Sequence, residues 1–318
     1  MTPAPPAPAS PAPAPAPAAP ALVVAGAVML GSSAVLVALS QANASTAAFH
    51  RCFLASLVLL PLAVVEIRRR GRPRAAMLGL AAGGGVFLGL DFMMWAQSVL
   101  DTGAAVSTLL ISTQVFVFPG LLWLLHRDRP SRQFLLALPV MLAGLVLAAG
   151  VLGADPFAVD PLRGGVLGVL AGVCYGVYLY GNHRCRAVDG RFIAVPVAVS
   201  TSAAALTVFV IGGAAGTLAV VPAAESVGWL VALAVFGQVL PWLLLSAAAT
   251  GVRPEVSASL MLLQPASALL LGVVLAGEEP TLAQLAGMAL VAVSVWWVSG
   301  GRRLAQRRAG RRQAARRR

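Results

Sequence analysis

Uncharged apolar runs of about 20 residues recur along most of this chain, each long enough to cross a bilayer core of about 30 Å as a helix. Hydrocarbon offers no hydrogen-bond partner, so a segment inside it must satisfy its own backbone. Only 11% of the 318 residues are charged, against about 25% in soluble domains, which is too few for a water-exposed surface. The sequence therefore predicts an all-α polytopic membrane protein with ten transmembrane helices. Their expected positions are 21–40, 45–65, 76–98, 104–125, 133–153, 164–181, 192–213, 227–249, 255–276 and 282–299.

Residues 1–20, "MTPAPPAPASPAPAPAPAAP", form a Pro/Ala tract with no basic n-region. It is not a signal peptide, and it favours extended or disordered chain that buries no core. Residues 301–318 form a basic tail. The net charge of +12 is carried by arginine without lysine and sits in short loops and this tail. A folded basic face for nucleic acid is absent from this pattern. The connections at 66–75, 126–132 and 182–191, together with Arg253 and the tail, hold 21 of the 23 arginines. Arginine-rich loops stay in the cytoplasm, so both termini are expected there. The tail also suits anionic membrane lipid. Cys52, Cys174 and Cys185 show no metal or disulfide spacing and read as small apolar fillers.

A shift of 150 positions lays 106–150 on 256–300 without a gap. It pairs Val106 with Val256, Ser107 with Ser257, Gln114 with Gln264, Pro130 with Pro280 and Gly150 with Gly300. Two five-helix units, 21–153 and 154–300, follow, and an odd number of spans inverts the second relative to the first. The basic 126–132 connection then lies inside and its counterpart "GEEP" outside, in agreement with the charges. Inverted repeats of this kind place a binding site near the midplane between the halves.

The arrangement, with "SLMLLQPASALLLGVVLAGEEPTLAQLAG" at 259–287, resembles the EamA-type family of the drug/metabolite transporter superfamily. The family pattern is matched at Pro265, Glu278, Thr281, Gln284 and Gly287, and Arg51 in "TAAFHRCFLASLVLL" resembles its second-helix signature. The first half departs from it: Val115 stands in place of a proline and Asp128 in place of a glutamate. The resemblance implies movement of metabolites or drugs across a bacterial inner membrane, often as export. Part of the pattern has a structural cause, because Thr281 and Gln284 have capping-box spacing.

Asp91 interrupts the apolar run "GVFLGLDFMMWAQSVLDTG", with Leu88, Trp95 and Ser98 on its helical face. A mid-membrane charge costs about 2.5–3.5 kcal/mol on insertion scales. Asp91 is therefore a candidate proton carrier, a candidate anchor for a cationic group, or an interhelical hydrogen-bonding residue. Arg51 is the second intramembrane charge, beside His50; it pairs with Asp91, binds a substrate carboxylate or snorkels outward. Ser107 and Gln114, seven apart, and their repeats Ser257 and Gln264 are expected to share one face and to meet in the cavity. Gly164, Gly168, Gly172 and Gly176 form a small-residue stripe for close helix packing or a gate. Tyr175 lies beside it as a cavity candidate. Asn43-Ala44-Ser45 is a chance sequon, and Asp155 and Asp160 read as turn formers. No catalytic motif, metal set or cofactor fingerprint is present in the sequence, so the expectation is not an enzyme. It is a secondary transporter of a small polar, amino-acid-like or drug-like metabolite, exporting by alternating access with proton coupling through Asp91. An uncoupled facilitator and a lipid-bound scaffold are the alternatives.

Overall fold

The computed structural model describes residues 19–127, 132–148, 159–248, 263–294 and 297. These residues are helical throughout, with short connections and no strand among them. Helix α1 is Ala19–Ser40, α2 Ala44–Arg70 and α3 Ala75–Thr102. Helix α4, Ala104–His126, is interrupted by a 3-10 turn at Ile111–Thr113. Helix α5 is Arg132–Ala148, α6 Pro161–Val188 and α7 Ala194–Ala214. Helix α8 begins at Ala224–Ala234, passes through a π turn at Val235–Val239 and continues as Leu240–Ala248. Helices α9, Leu263–Ala276, and α10, Leu282–Ser294, complete the described chain.

Seven of these, α1–α4 and α6–α8, are long and apolar enough to cross a membrane. Helices α9 and α10 are apolar but shorter, α5 has 17 residues, and each of the three borders residues outside the described set. The chain is thus a multi-pass membrane protein. Large apolar side chains such as Leu57, Leu124, Leu206 and Val210 are more than half exposed around the perimeter, the surface that hydrocarbon rather than water covers.

Several helices run further than hydropathy predicts. Helix α2 ends at Arg70 rather than at 65, because arginines prolong a helix into the headgroup layer and suit its negative C-terminal end. Helix α6 starts at 161 rather than 164: Asp160 accepts a hydrogen bond from Arg163 N, and Pro161 supplies a preset first turn. At 28 residues each, α3 and α6 are about 42 Å long. They lie antiparallel: Cys185 Sγ reaches Met77 O at one end, and Arg163 reaches Asp101 at the other.

The glycine stripe of α6 is a packing surface. A Cβ at Gly168 would stand 2.8 Å from Leu110 Cβ, and one at Gly172 2.8 Å from Ile111 O. At Gly176 it would stand 2.6 Å from Val117 Cβ. On α3, Gly89 brings its backbone against Ala204 and Thr207 of α7. These small positions draw the first-half helices α3 and α4 onto the second-half helices α6 and α7.

Both ends of the bundle are tied by polar contacts. At the arginine-rich end, Glu66 accepts from the backbone N–H groups of Ile193, Ala194 and Val195, neutralising the start of α7. Arg70 donates to Arg191 O, and Arg191 holds Asp189 with two bonds of 2.9 Å. At the opposite end, Arg163 Nε donates to Asp101 Oδ2 at 2.8 Å. Glu278 accepts from Ala104 N and Ala105 N, capping α4 from the connection between α9 and α10.

Candidate functional site

The helix breaks define the site. An α-helix uses every backbone group in one ladder, and a 3-10 or π turn takes one residue out of that register, often at a functional position. Helix α4 has its 3-10 turn at Ile111–Thr113 and α8 its π turn at Val235–Val239. Beside the 3-10 turn lies a cavity of about 50 Å³, room for a few waters, so a metabolite could enter it only once the surrounding helices part. Its wall comes from Leu30 and Ser33 of α1, Arg51 of α2, Asp91, Phe92 and Trp95 of α3, and Thr108, Ile111 and Gln114 of α4. Tyr175 of α6, Trp242 of α8 and Gln264 of α9 close it.

Asp91 is fully buried, and neither carboxylate oxygen has a hydrogen-bond partner within the described protein. Three more buried cavity groups are unpartnered there: Ser33 Oγ, Trp95 Nε1 and Trp242 Nε1. Buried polar groups are nearly always hydrogen-bonded, and leaving one unmet costs about 1–3 kcal/mol. Several around one cavity mark a place prepared to receive polar atoms.

Arg51 is also buried and does not snorkel. Its Nη2 donates to Gly237 O at 2.7 Å and its Nε to Gln238 Oε1 at 3.1 Å, both inside the π turn of α8. Its guanidinium lies 3.9 Å from the centroid of the Phe92 ring, a cation–π contact. It makes no ion pair with Asp91, so the carboxyl and the guanidinium line one cavity without touching. Gln238 passes the connection on to Thr201 Oγ1 at 3.3 Å.

Of the residues singled out from sequence, the structure brings together Arg51, Asp91, Trp95, Gln114, Tyr175 and Gln264. Ser107 is not among the cavity residues; its Oγ donates to Ala104 O at 3.1 Å on its own helix. The 3-10 turn between Ser107 and Gln114 breaks the seven-residue spacing, and Thr108 takes the cavity position instead. Ser257 lies outside the described residues, as do Val115's side chain, Asp128 and Asp155. Ser33, Phe92, Thr108 and Trp242 were not signalled by sequence, since a lone serine or tryptophan in an apolar run reads as packing.

Other expectations resolve as local structure. Thr281 N donates to Gln284 Oε1 at 2.7 Å and Gln284 N to Thr281 Oγ1 at 3.3 Å, a capping box at the start of α10. Asn43 Oδ1 accepts from Thr46 N and caps α2. His50 lies with its ring nitrogens 2.9 Å from Thr46 O and 3.2 Å from Val220 O, away from the cavity lining. Tyr180 lies at the exposed edge, bonded to His126 at 3.0 Å. No group of three or more His, Cys, Asp or Glu residues able to hold a metal occurs among the described residues.

Comparison with known proteins gives the setting. The EamA-like transporter family matches residues 18–150 and again residues 162–300. An uncharacterized transporter of Archaeoglobus fulgidus is 28% identical over 278 residues, which is 86% of this chain and 94% of that protein. A solved structure titled only as the crystal structure of a protein aligns with a TM-score of 0.61 over 90% of this chain and 98% of its own, at 17% identity. That likeness bears on the fold alone.

Proposed function

Because this chain belongs to the EamA-like transporter family, we propose that it is a secondary transporter for a small zwitterionic, amino-acid-like metabolite. It works in the bacterial inner membrane by alternating access, in the direction of export, with both termini in the cytoplasm. The ten spans and the inverted order of the two halves belong to this reading. The observation that carries it is the pair of buried, mutually unpaired charges on one cavity. Asp91 offers two unpartnered carboxylate oxygens, and Arg51 spends two of its donors on α8. An ammonium group suits the first and a carboxylate the second. The aromatic rings of Phe92, Trp95 and Tyr175 supply apolar contact between them, and the side-chain amides of Gln114 and Gln264 offer both donors and acceptors.

Asp91 is the one carboxyl group in the cavity wall among the described residues, so it also serves as the coupling group if protons drive the cycle. Binding the substrate ammonium and binding a proton are then exclusive, which is how one carboxylate exchanges one for the other. The test compares metabolites in medium and cytosol of cells carrying wild type or Asp91→Asn at matched membrane levels. Wild type is expected to export a zwitterion that the variant retains, with export falling at least about tenfold, equivalent to about 1.4 kcal/mol. Equal export by both would remove Asp91 from the path. Export that survives collapse of the pH gradient would replace coupling by facilitated diffusion.

A further inference from the structure

Trp242 occupies a position that the transport reading does not use. Its side chain lines the central cavity and, on its other side, two further cavities toward the arginine-rich end. One, of about 270 Å³, lies beside Glu66, Arg69 and Arg70. The other, of about 70 Å³, lies beside Asn182 and Arg186. One indole therefore forms part of the partition between the buried charges and two cavities that approach the charged rim. Trp242 meets Tyr178 edge to face, with ring centroids 6.2 Å apart at 89°. Tyr178 in turn stacks on the cavity residue Tyr175 at 5.8 Å. The Trp242 Nε1 is buried without a partner among the described residues, so no hydrogen bond from them fixes the ring in this orientation.

What lies upstream of Trp242 matters as much. The π turn at Val235–Val239 ends three residues before it, with Leu240 N bonded to Val235 O. The widened turn is held by Arg51, on Gly237 O and on Gln238. A π turn carries one residue more than an α turn. Converting it to α geometry moves the following segment by one residue, about 100° of rotation and about 1.5 Å of rise. Such a change would turn Trp242 away from the partition.

Resting on the transport reading for its purpose, we propose that Trp242 is the gate between the central cavity and the arginine-rich face, and that Arg51 is its latch through the π turn of α8. A ligand carboxylate on the remaining Arg51 donors draws the guanidinium toward the cavity and away from Gly237 O and Gln238. Loss of those bonds frees the turn, so the state of Arg51 and the position of Trp242 are coupled. Binding at the cavity and the position of the gate are thereby linked through one side chain.

The experiment reads accessibility, so its result is independent of substrate identity and of the Asp91→Asn outcome. Ser33→Cys, in a chain whose Cys52, Cys174 and Cys185 are replaced by alanine, places a thiol in the central cavity. A charged, membrane-impermeant thiosulfonate is applied to right-side-out and to inside-out vesicles. Trp242→Ala is expected to raise the modification rate at least about tenfold from the arginine-rich face, the scale of a lost aromatic pair and its packing. The rate from the opposite face stays unchanged, and Trp242→Phe stays near the parent. Gln238→Leu, which weakens the latch and leaves the ring in place, is expected to raise the rate from the same face. An unchanged rate in Trp242→Ala overturns the gate, as does an equal rise from both faces, which is general loosening. If Trp242→Ala does not reach the membrane, an unchanged rate in Gln238→Leu overturns the proposal in its place.

Discussion

At the scale of single residues, buried and half-buried acids and bases separate into two kinds. Asp91 and Arg51 face a cavity and are not paired with each other, whereas Asp101, Glu278 and Asp189 are each consumed by a partner at a helix end. Asp189 lies just beyond α6, outside the membrane-spanning segment, and Arg191 beside it holds its carboxyl down to about 2, below the ordinary value of about 3.9. A lowered folded pKa stabilises the folded form above the unfolded pKa, and that contribution disappears as pH falls through the folded one. Asp189→Asn should therefore lower the melting temperature in detergent by a constant amount between pH 5 and 8. A gap that closes anywhere in that range would refute the pair as its source. Asp91 and Arg51 were visible in the sequence because charge in an apolar run is rare. Trp242 was not, because its importance comes from what lies on either side of it.

Helices are where pattern and packing diverge. The α6 stripe was legible as a row of glycines every four residues, and its partner surface was not. Gly172 faces the carbonyl of Ile111, so Gly172→Ala forces a methyl group against backbone at the 3-10 turn. Overpacking of this kind costs about 1–3 kcal/mol, and it should appear as a lower melting temperature. Gly79 of α3 has nothing within 4 Å of an added Cβ. Gly79→Ala should leave stability unchanged or raise it by about 0.5–1 kcal/mol through helix propensity. Equal losses from both would show that helix flexibility, not close packing, explains the stripe. The capping box of α10 was readable from local spacing, since its bonds close within three residues, whereas Asp160 read as a turn former and instead caps α6. The 3-10 and π turns were not readable, and the 3-10 turn displaced Ser107 from the cavity face on which a regular helix would put it.

Across the whole molecule, the proposed transport reading gives the basic tail a part in topology and none in the cycle. Deleting residues 302–318, which lie outside the described structure, should leave export per inserted molecule unchanged. Loss of export with normal insertion would favour a scaffold whose tail recruits lipid or a partner. Membrane residence, an all-helical chain, two related halves and two intramembrane charges were all decided by the sequence itself, because hydropathy, charge placement and a fixed 150-residue offset are properties of neighbours along the chain or of its own repetition. The cavity was decided only by the tertiary structure. It needs α1, α2, α3, α4, α6, α8 and α9 to converge, with two turns out of α register and Arg51 reaching across to Gly237 and Gln238. Those contacts join residues as far as 187 positions apart, and a helix deviates from its register there because cross-helix bonds compensate for the backbone groups it leaves free.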